Sequence, residues 1–341
     1  IRPDGQQQQW LTYGSGHVHG LMLDGQEVVG FERDGLRREV IRIQGNGLAQ
    51  RCSYDPQGRP TSQQWGLTAN ETREPGTQGG GIISTGTLPI VRRQYEYDPM
   101  GQLQTIQDSR RGALSYRYDP LGRLVEANSA LGQERFEFDL ASNLLHIATG
   151  ADDKASTATR KPSQPVLMDN LLRQFRAGPE ERRHEHDERG NSIRIKTTGQ
   201  SDMLLHWDGF GRLASVGKAN GALVTYRYDA LGRRIGKYSD AANRPAVRSS
   251  SPWHGEAHRD RGTTLYAWDG NTLACESSAH EVVEYIYEPG KFVPMMLISK
   301  KPGQLAEAAQ MAWYQCDHLG TPMELTDAEG KVVWSASYRA F

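Results

Sequence analysis

The chain has 341 residues, a formal net charge of −1, 37% hydrophobic residues and a mean hydropathy of −0.67. That balance gives no electrostatic case for nucleic acid or an anionic membrane surface. The longest apolar run, Val293–Ile298, is far too short to cross a bilayer. So few aliphatic residues also argue for a sheet with polar residues on much of both faces, and against a thick two-layer core. Three scattered cysteines, Cys52, Cys275 and Cys316, make a disulfide framework unexpected and fit synthesis in a reducing compartment. The sequence starts at Ile1 within repeat-like polar residues and shows no signal peptide, so it is expected to be a piece of a longer polypeptide.

In chain order, residues 1–50 hold weak early copies of a unit that becomes plain later. Phe31, Asp34 and Arg38 keep its aromatic, acid and basic positions, and Asn46-Gly47 is a hairpin turn signal. Tyr54-Asp55-Pro56-Gln57-Gly58-Arg59 is a near-complete copy. Gly79-Gly80-Gly81 follows in a predicted loop. It lacks the Lys-Ser/Thr pair and the helix start of a phosphate-cradling loop.

Residues 90–148 give three hairpins in a row. Tyr116-Arg117-Tyr118-Asp119-Pro120-Leu121-Gly122-Arg123-Leu124-Val125 is the clearest. Tyr116 and Tyr118 share one face of an extended strand. Asp119 can bond the backbone two residues on, Pro120 presets φ, and Gly122 fits the fourth position of a type I turn.

Residues 149–165 read as an exposed insertion, and a turn at Asp169-Asn170 leads into the next strand. Residues 184–238 restore the pattern, with Asn220-Gly221 as a turn on the opposite edge. Residues 253–262 read as a loop. Residues 300–311 form a second insertion, whose Ala-rich half suits a short helix.

The turn acid recurs at Asp34, Asp55, Asp98, Asp119, Asp139, Asp187, Asp208, Asp229 and Asp269, mostly at one or two periods of about 21 residues. Glycine follows three residues later at Gly58, Gly101, Gly122, Gly190, Gly211 and Gly232. Paired aromatic positions precede the acid on the same beat, as in Tyr95/Tyr97, Tyr226/Tyr228 and Tyr266/Trp268. The expected fold is all-β: tandem β-hairpin repeats in a single curling sheet that makes part or all of a hollow shell.

Four candidate sites have bland readings that weigh more. His17/His19 and His184/His186 could each present two ligands on one strand face, yet the second pair occupies the aromatic positions of the repeat. Cys316 and His318 share a face without an evident orienting partner for nucleophilic catalysis. The turn aspartates offer one acid per turn, where a calcium loop needs several. Tyr and Trp interleaved with Arg could bind sugars. No catalytic residue, cofactor or metal is expected in this segment.

The phased Tyr-Asp-x-x-Gly-Arg copies resemble the Rhs/YD-repeat family. So does the string Asp317-His318-Leu319-Gly320-Thr321-Pro322-Met323-Glu324-Leu325-Thr326-Asp327, with Trp334, Tyr338, Arg339, Ala340 and Phe341 after it, which is similar to the module near the end of an Rhs core. The resemblance implies a β-strand shell at residues 1–313 and a terminal core module at 314–341. It also implies an enclosed C-terminal toxin, delivered in many members by type VI secretion. Other segments of the parent polypeptide, secretion spike proteins and a chaperone are the implied partners, and cytoplasmic synthesis followed by delivery to a target cell is the implied route. An aspartyl autoprotease in bacterial members surrounds an Asp-Pro-x-Gly-Leu motif beyond this segment, so its aspartates match no residue here. Asp119-Pro120-Leu121-Gly122 runs on into Arg123 and reads as a turn.

Related shells belong to the C component of insecticidal toxin complexes, to wall-associated toxins and to teneurins, so an adhesive or carbohydrate-binding module is the alternative reading. At about 4.8 Å between strands, sixteen two-strand repeats would make a ribbon of roughly 150 Å, which as a ring could surround a domain with a radius of gyration of about 13 Å.

Overall fold

The structure is a computed structural model that describes residues 6–14, 16–67, 89–149, 166–168, 171–177, 180–218, 221–240, 262–304 and 308–340. Its described residues form 27 strands. Twelve strands from Gln8–Thr12 to Leu144–Thr149 form one sheet in chain order, and fifteen from Val166–Met168 to Val332–Ser335 form another. The all-β hairpin ladder expected from the repeat is therefore present, in two sheets and not one. The break coincides with the insertion, whose residues 150–165 lie outside the described set, as do the Gly79–Gly81 loop and 253–261. The turn expected at Asp169-Asn170 lies there too, and the flanking strands Val166–Met168 and Leu171–Ala177 pair antiparallel. In the 300–311 interval, strand Pro294–Lys300 gives way to strand Gln310–Cys316; of the expected short helix, residues 305–307 are not described.

Two compact units divide the chain. One comprises Ile1–Ser115, Tyr287–Ile298 and Gln304–Tyr338, the other Tyr116–Ile286, Ser299–Gly303 and Arg339–Phe341. In the first, early and late strands pack face to face. Leu48, Trp65 and Val91 form an apolar cluster closed by Val332. Gly45 lets the Trp313 ring come within 3.4 Å of where a β-carbon would stand, and the Trp313 indole N–H donates to the Val28 carbonyl at 3.1 Å.

This two-layer core corrects the expectation drawn from composition. Among the described residues, nineteen of the 26 buried apolar ones lie in the first unit, so a chain-wide average hides a local concentration. Six consecutive residues, Pro294–Ser299, are buried, the mark of a strand covered on both faces. In the second unit, strands such as Ser192–Thr197 and Met203–Trp207 alternate between half-buried and exposed residues, as the low apolar content suggests.

Candidate functional site

The most repeated arrangement is the joint at each Asp-x-x-Gly turn. The Asp119 N–H donates to the Arg123 carbonyl at 3.0 Å, and the Gly122 N–H donates to the Asp119 carbonyl at 2.9 Å. Asp55/Gly58, Asp98/Gly101, Asp208/Gly211 and Asp229/Gly232 repeat both bonds. Gly122 and Gly232 have φ of +80° and +81°, and the strand register shifts at the residue before the acid, as at Arg227/Tyr228. Each joint is thus a type I turn followed by a left-handed glycine in a bulge, a three-residue hairpin loop. Pro120 occupies the second turn position and donates no backbone hydrogen bond there.

The acid is then locked from the side. Asp119 Oδ1 accepts from the Arg123 N–H at 3.0 Å and Oδ2 from Arg123 Nε at 2.7 Å. Asp208 and Asp229 make the same pair of contacts with Arg212 and Arg233. Each guanidinium reaches onward. Arg38, Arg123 and Arg212 donate to the carbonyls of Asp55, Asp139 and Asp229, one repeat later. Arg59 lies 4.5 Å from the Tyr97 ring and Arg212 5.1 Å from that of Tyr228, a cation–π contact.

At six joints the aromatic next to the acid, or its counterpart, closes the joint. Tyr54, Tyr97, Tyr228 and Tyr338 donate their hydroxyls to the carbonyls of Glu39, Pro60, Leu213 and Pro322, and Trp207 and Trp268 donate their indole N–H to Ser192 and Arg234. In each case the acceptor follows the last residue of the preceding turn. The repeat keeps a donor-bearing aromatic because the rung behind it offers a carbonyl. Sequence reasoning found the aromatic, acid and glycine but missed this role. The signal was present, since the fourth residue after the acid is Arg at Asp34, Asp55, Asp119, Asp208 and Asp229.

Hydrogen bonding within the joint lowers the pKa of its acids. The Arg123 backbone N–H does most to hold the Asp119 carboxyl below its ordinary value of 3.8, against some desolvation and with help from the guanidinium. Asp208 is held down in the same way by Arg212. A carboxylate depressed on folding adds stability that is complete above 3.8 and is lost as pH falls through the lower folded value. The urea midpoint is therefore expected to be flat above about pH 5 and to fall below pH 4, with a shallower fall in Asp119→Asn; a midpoint independent of pH down to 3 would exclude the joint as a source of stability.

Asp317–Pro322 proves to be one more such turn. The Asp317 N–H donates to the Thr321 carbonyl at 2.9 Å and the Gly320 N–H to Asp317 at 3.1 Å, while Asp317 Oδ1 accepts from the N–H groups of Leu319 and Thr321. Thr321 stands where five of the joints carry arginine and others carry Gln102, Asn143 or Asn191. Gly320 has φ of +86°, and a β-carbon there would fall 2.6 Å from Val293 Cγ2. Gly232, with φ of +81°, has only Arg212 Cδ near the position of a β-carbon, at 4.0 Å. Gly232→Val is expected to cost about 1–2 kcal/mol from the left-handed backbone alone, and Gly320→Val a further 1–3 kcal/mol from overpacking. Equal losses in thermal melts would refute the contact with Val293.

Beyond that turn the string plugs into the early strands. Glu324 Oε2 accepts from Arg93 at 2.6 Å and Oε1 from Arg111 at 2.5 Å. Asp108 Oδ2 accepts from the same two arginines at 2.9 and 3.3 Å. Two cations and two anions thus form a buried, formally neutral quartet. Beside it, Gln315 and Gln44 bond each other, and Asn46 donates to Thr326 Oγ1 and to the Asp327 carbonyl.

A cleft of about 500 Å3 opens in the same unit, lined among others by Arg33, Arg37, Arg42, Tyr54, Tyr95, Cys52, Cys316 and His318. Burial pushes the Cys316 thiol up to about 12, and its Sγ faces the Pro294 carbonyl at 3.5 Å. It is therefore held as a protonated thiol, not a thiolate nucleophile. Burial lowers His318, whose ring lies 4.7 Å from that of Tyr95. His17 meets Arg37 at 2.6 Å while His19 stacks on Tyr13 at 4.1 Å, so that pair is spent on different neighbours. His184 and His186 stack at 6.2 Å in the aromatic positions, and burial keeps both toward the neutral form.

Comparison with known proteins adds three findings. Residues 82–245 match the family model Teneurin YD-shell, and residues 311–341 match the model RHS protein. Over 99% of its length the chain is 33% identical to Double-stranded DNA deaminase toxin A of Burkholderia cenocepacia. Over 95% it is 29% identical to Toxin protein Tse5 of Pseudomonas aeruginosa. The chain spans 22% and 26% of the length of these two relatives. Among solved structures, the Tc holotoxin pore of Photorhabdus luminescens aligns with a TM-score of 0.63 at 16% identity, covering 97% of this chain and 16% of that one. TcdB2-TccC3-Cdc42 aligns at 0.61 and 15%, covering 98% and 17%. These likenesses show a shared fold.

Proposed function

The chain belongs to the Rhs/YD-repeat family, and we propose that it is a length of shell wall that holds a toxin domain of its parent polypeptide until delivery, doing no chemistry itself. The observation that carries this reading is the joint: successive hairpins are locked together by a recurring set of aspartate, arginine and aromatic contacts, as at Arg38, Tyr97, Arg212 and Tyr228. Such a lock builds length and curvature from many small cross-strand terms. The relatives named as toxins support the same reading.

In this proposal residues 1–313 are wall and 314–341 the closing module of the core. The enclosed toxin, neighbouring wall segments, a secretion spike and a chaperone are the partners. Delivery to a target cell by type VI secretion follows synthesis in the bacterial cytoplasm. The protonated state of the buried Cys316 thiol agrees with a wall that does no chemistry of its own.

Cryo-electron microscopy of the intact parent polypeptide, with and without brief trypsin treatment, tests the proposal. Density for the toxin domain inside the strand wall, and its survival of trypsin, is the expected result. A toxin domain lying outside the wall and cut at the rate of the isolated domain would overturn it.

A further inference from the structure

The mouth of the cleft carries charge that no carboxylate among the described residues neutralises. Arg38 is held by Asp34, Arg42 by Glu39 and Glu288, and Lys291 by Glu288. Arg33 and Arg37 have no carboxylate partner among the described residues. Arg33 makes long bonds, 3.4 and 3.5 Å, to the carbonyls of Val18 and Arg37, and its guanidinium lies 5.7 Å from the Phe31 ring. Arg37 meets the His17 ring.

Arg37 is also conformationally out of place. It fills the fourth position of the Asp34 turn, which is glycine in most of the joints, and it takes φ of +64°, where L side chains are rarely found. A turn under selection for stability alone would carry glycine there. A residue held in that region at the edge of a cleft points to a use for its side chain. Deeper in, His318 lines the cleft with Nδ1 buried and lacking a hydrogen-bond partner. A polar atom in that state ordinarily marks a missing partner.

We propose that this cleft binds an acidic peptide segment, with Arg33 and Arg37 taking its carboxylates and His318 hydrogen-bonding its inner end. The volume exceeds what a single small anion needs and falls within the range of ligand pockets. Tyr54, Val293 and Leu319 give the lining an apolar component that suits side chains between the acids. Glu39, Glu288 and Asp317 share the same lining and would repel a dense polyphosphate more than a peptide with spaced carboxylates. The site does not depend on what the wall encloses.

The test is titration calorimetry of the intact protein with the peptide acetyl-Ala-Glu-Tyr-Glu-Ala-amide, its Gln-for-Glu counterpart, inorganic phosphate and a six-residue deoxyadenosine oligonucleotide. The acidic peptide is expected to bind and its Gln counterpart to bind at least tenfold more weakly, as charge-assisted bonds require. Arg37→Gly should weaken binding roughly tenfold while leaving the thermal midpoint unchanged or higher, and Arg33→Met should weaken it to a similar degree. Arg194→Ala, in the other unit, should change nothing. Equal binding of both peptides, tighter binding of phosphate or oligonucleotide, or full affinity in Arg37→Gly would each overturn the proposal. A lower thermal midpoint in Arg37→Gly would also count against it, because Arg37 would then be a structural residue.

Discussion

Glu324→Ala is expected to destabilise the first unit by about 3–5 kcal/mol, read as a shift of the urea midpoint at constant slope. Glu324 is fully buried and shares Arg93 and Arg111 with Asp108. Removing it leaves two guanidinium groups with one carboxylate between them and a cavity in place of the side chain. Most of that cost comes from the charge left without its partner, not from the worth of the pair itself. Arg93→Met combined with Glu324→Met should accordingly recover much of the loss, since Arg111 and Asp108 still pair. A double variant as unstable as Glu324→Ala would show that packing, not uncompensated charge, sets the penalty.

Trp313→Ala should cost a comparable 3–5 kcal/mol. The ring is 2% exposed, sits against Gly45 and donates its N–H to Val28. Trp313→Phe separates the two contributions. It should lose only part of the volume, together with one buried hydrogen bond worth about 1 kcal/mol. Near-native stability in Trp313→Ala would mean that the late strands contribute little to the early ones.

Much of the ladder was legible in the sequence because hairpin information is local. Asp, Gly and the aromatics fall within ten residues of one another, and a period of two on a strand assigns their faces. The joint was half legible: Arg59 and Arg212 are visible at a fixed offset, but their onward contacts cross to the next rung. The buried quartet was not legible at all. Arg93 and Glu324 are 231 residues apart, and nothing in the spacing of either marks the other. Glu324 and Gln315 read as ordinary polar strand residues until the opposing sheet supplies their partners. Composition misled for the same reason, because an average over the chain cannot show that the apolar residues gather in one unit. The string at Asp317–Pro322 was recognised as a motif before its mechanics were known. Its first four residues repeat the turn of the ladder, and Gly320 adds a packing demand that the other turns lack.

The discontinuity of the first unit sets a timetable for biosynthesis. Its opening 115 residues leave the ribosome long before Tyr287–Ile298 and Gln304–Tyr338 are made. At about 5–20 residues per second, the roughly 200 residues between Asp108 and Glu324 impose a wait of some 10–40 s. During that interval Arg93 and Trp65 lack the late strands that cover them, and the growing chain carries an unfinished hydrophobic surface. Ribosome profiling or arrest-peptide force measurements should find that this half locks only after the last strands emerge, so a nascent chain stopped at residue 300 would still be open to protease at its beginning.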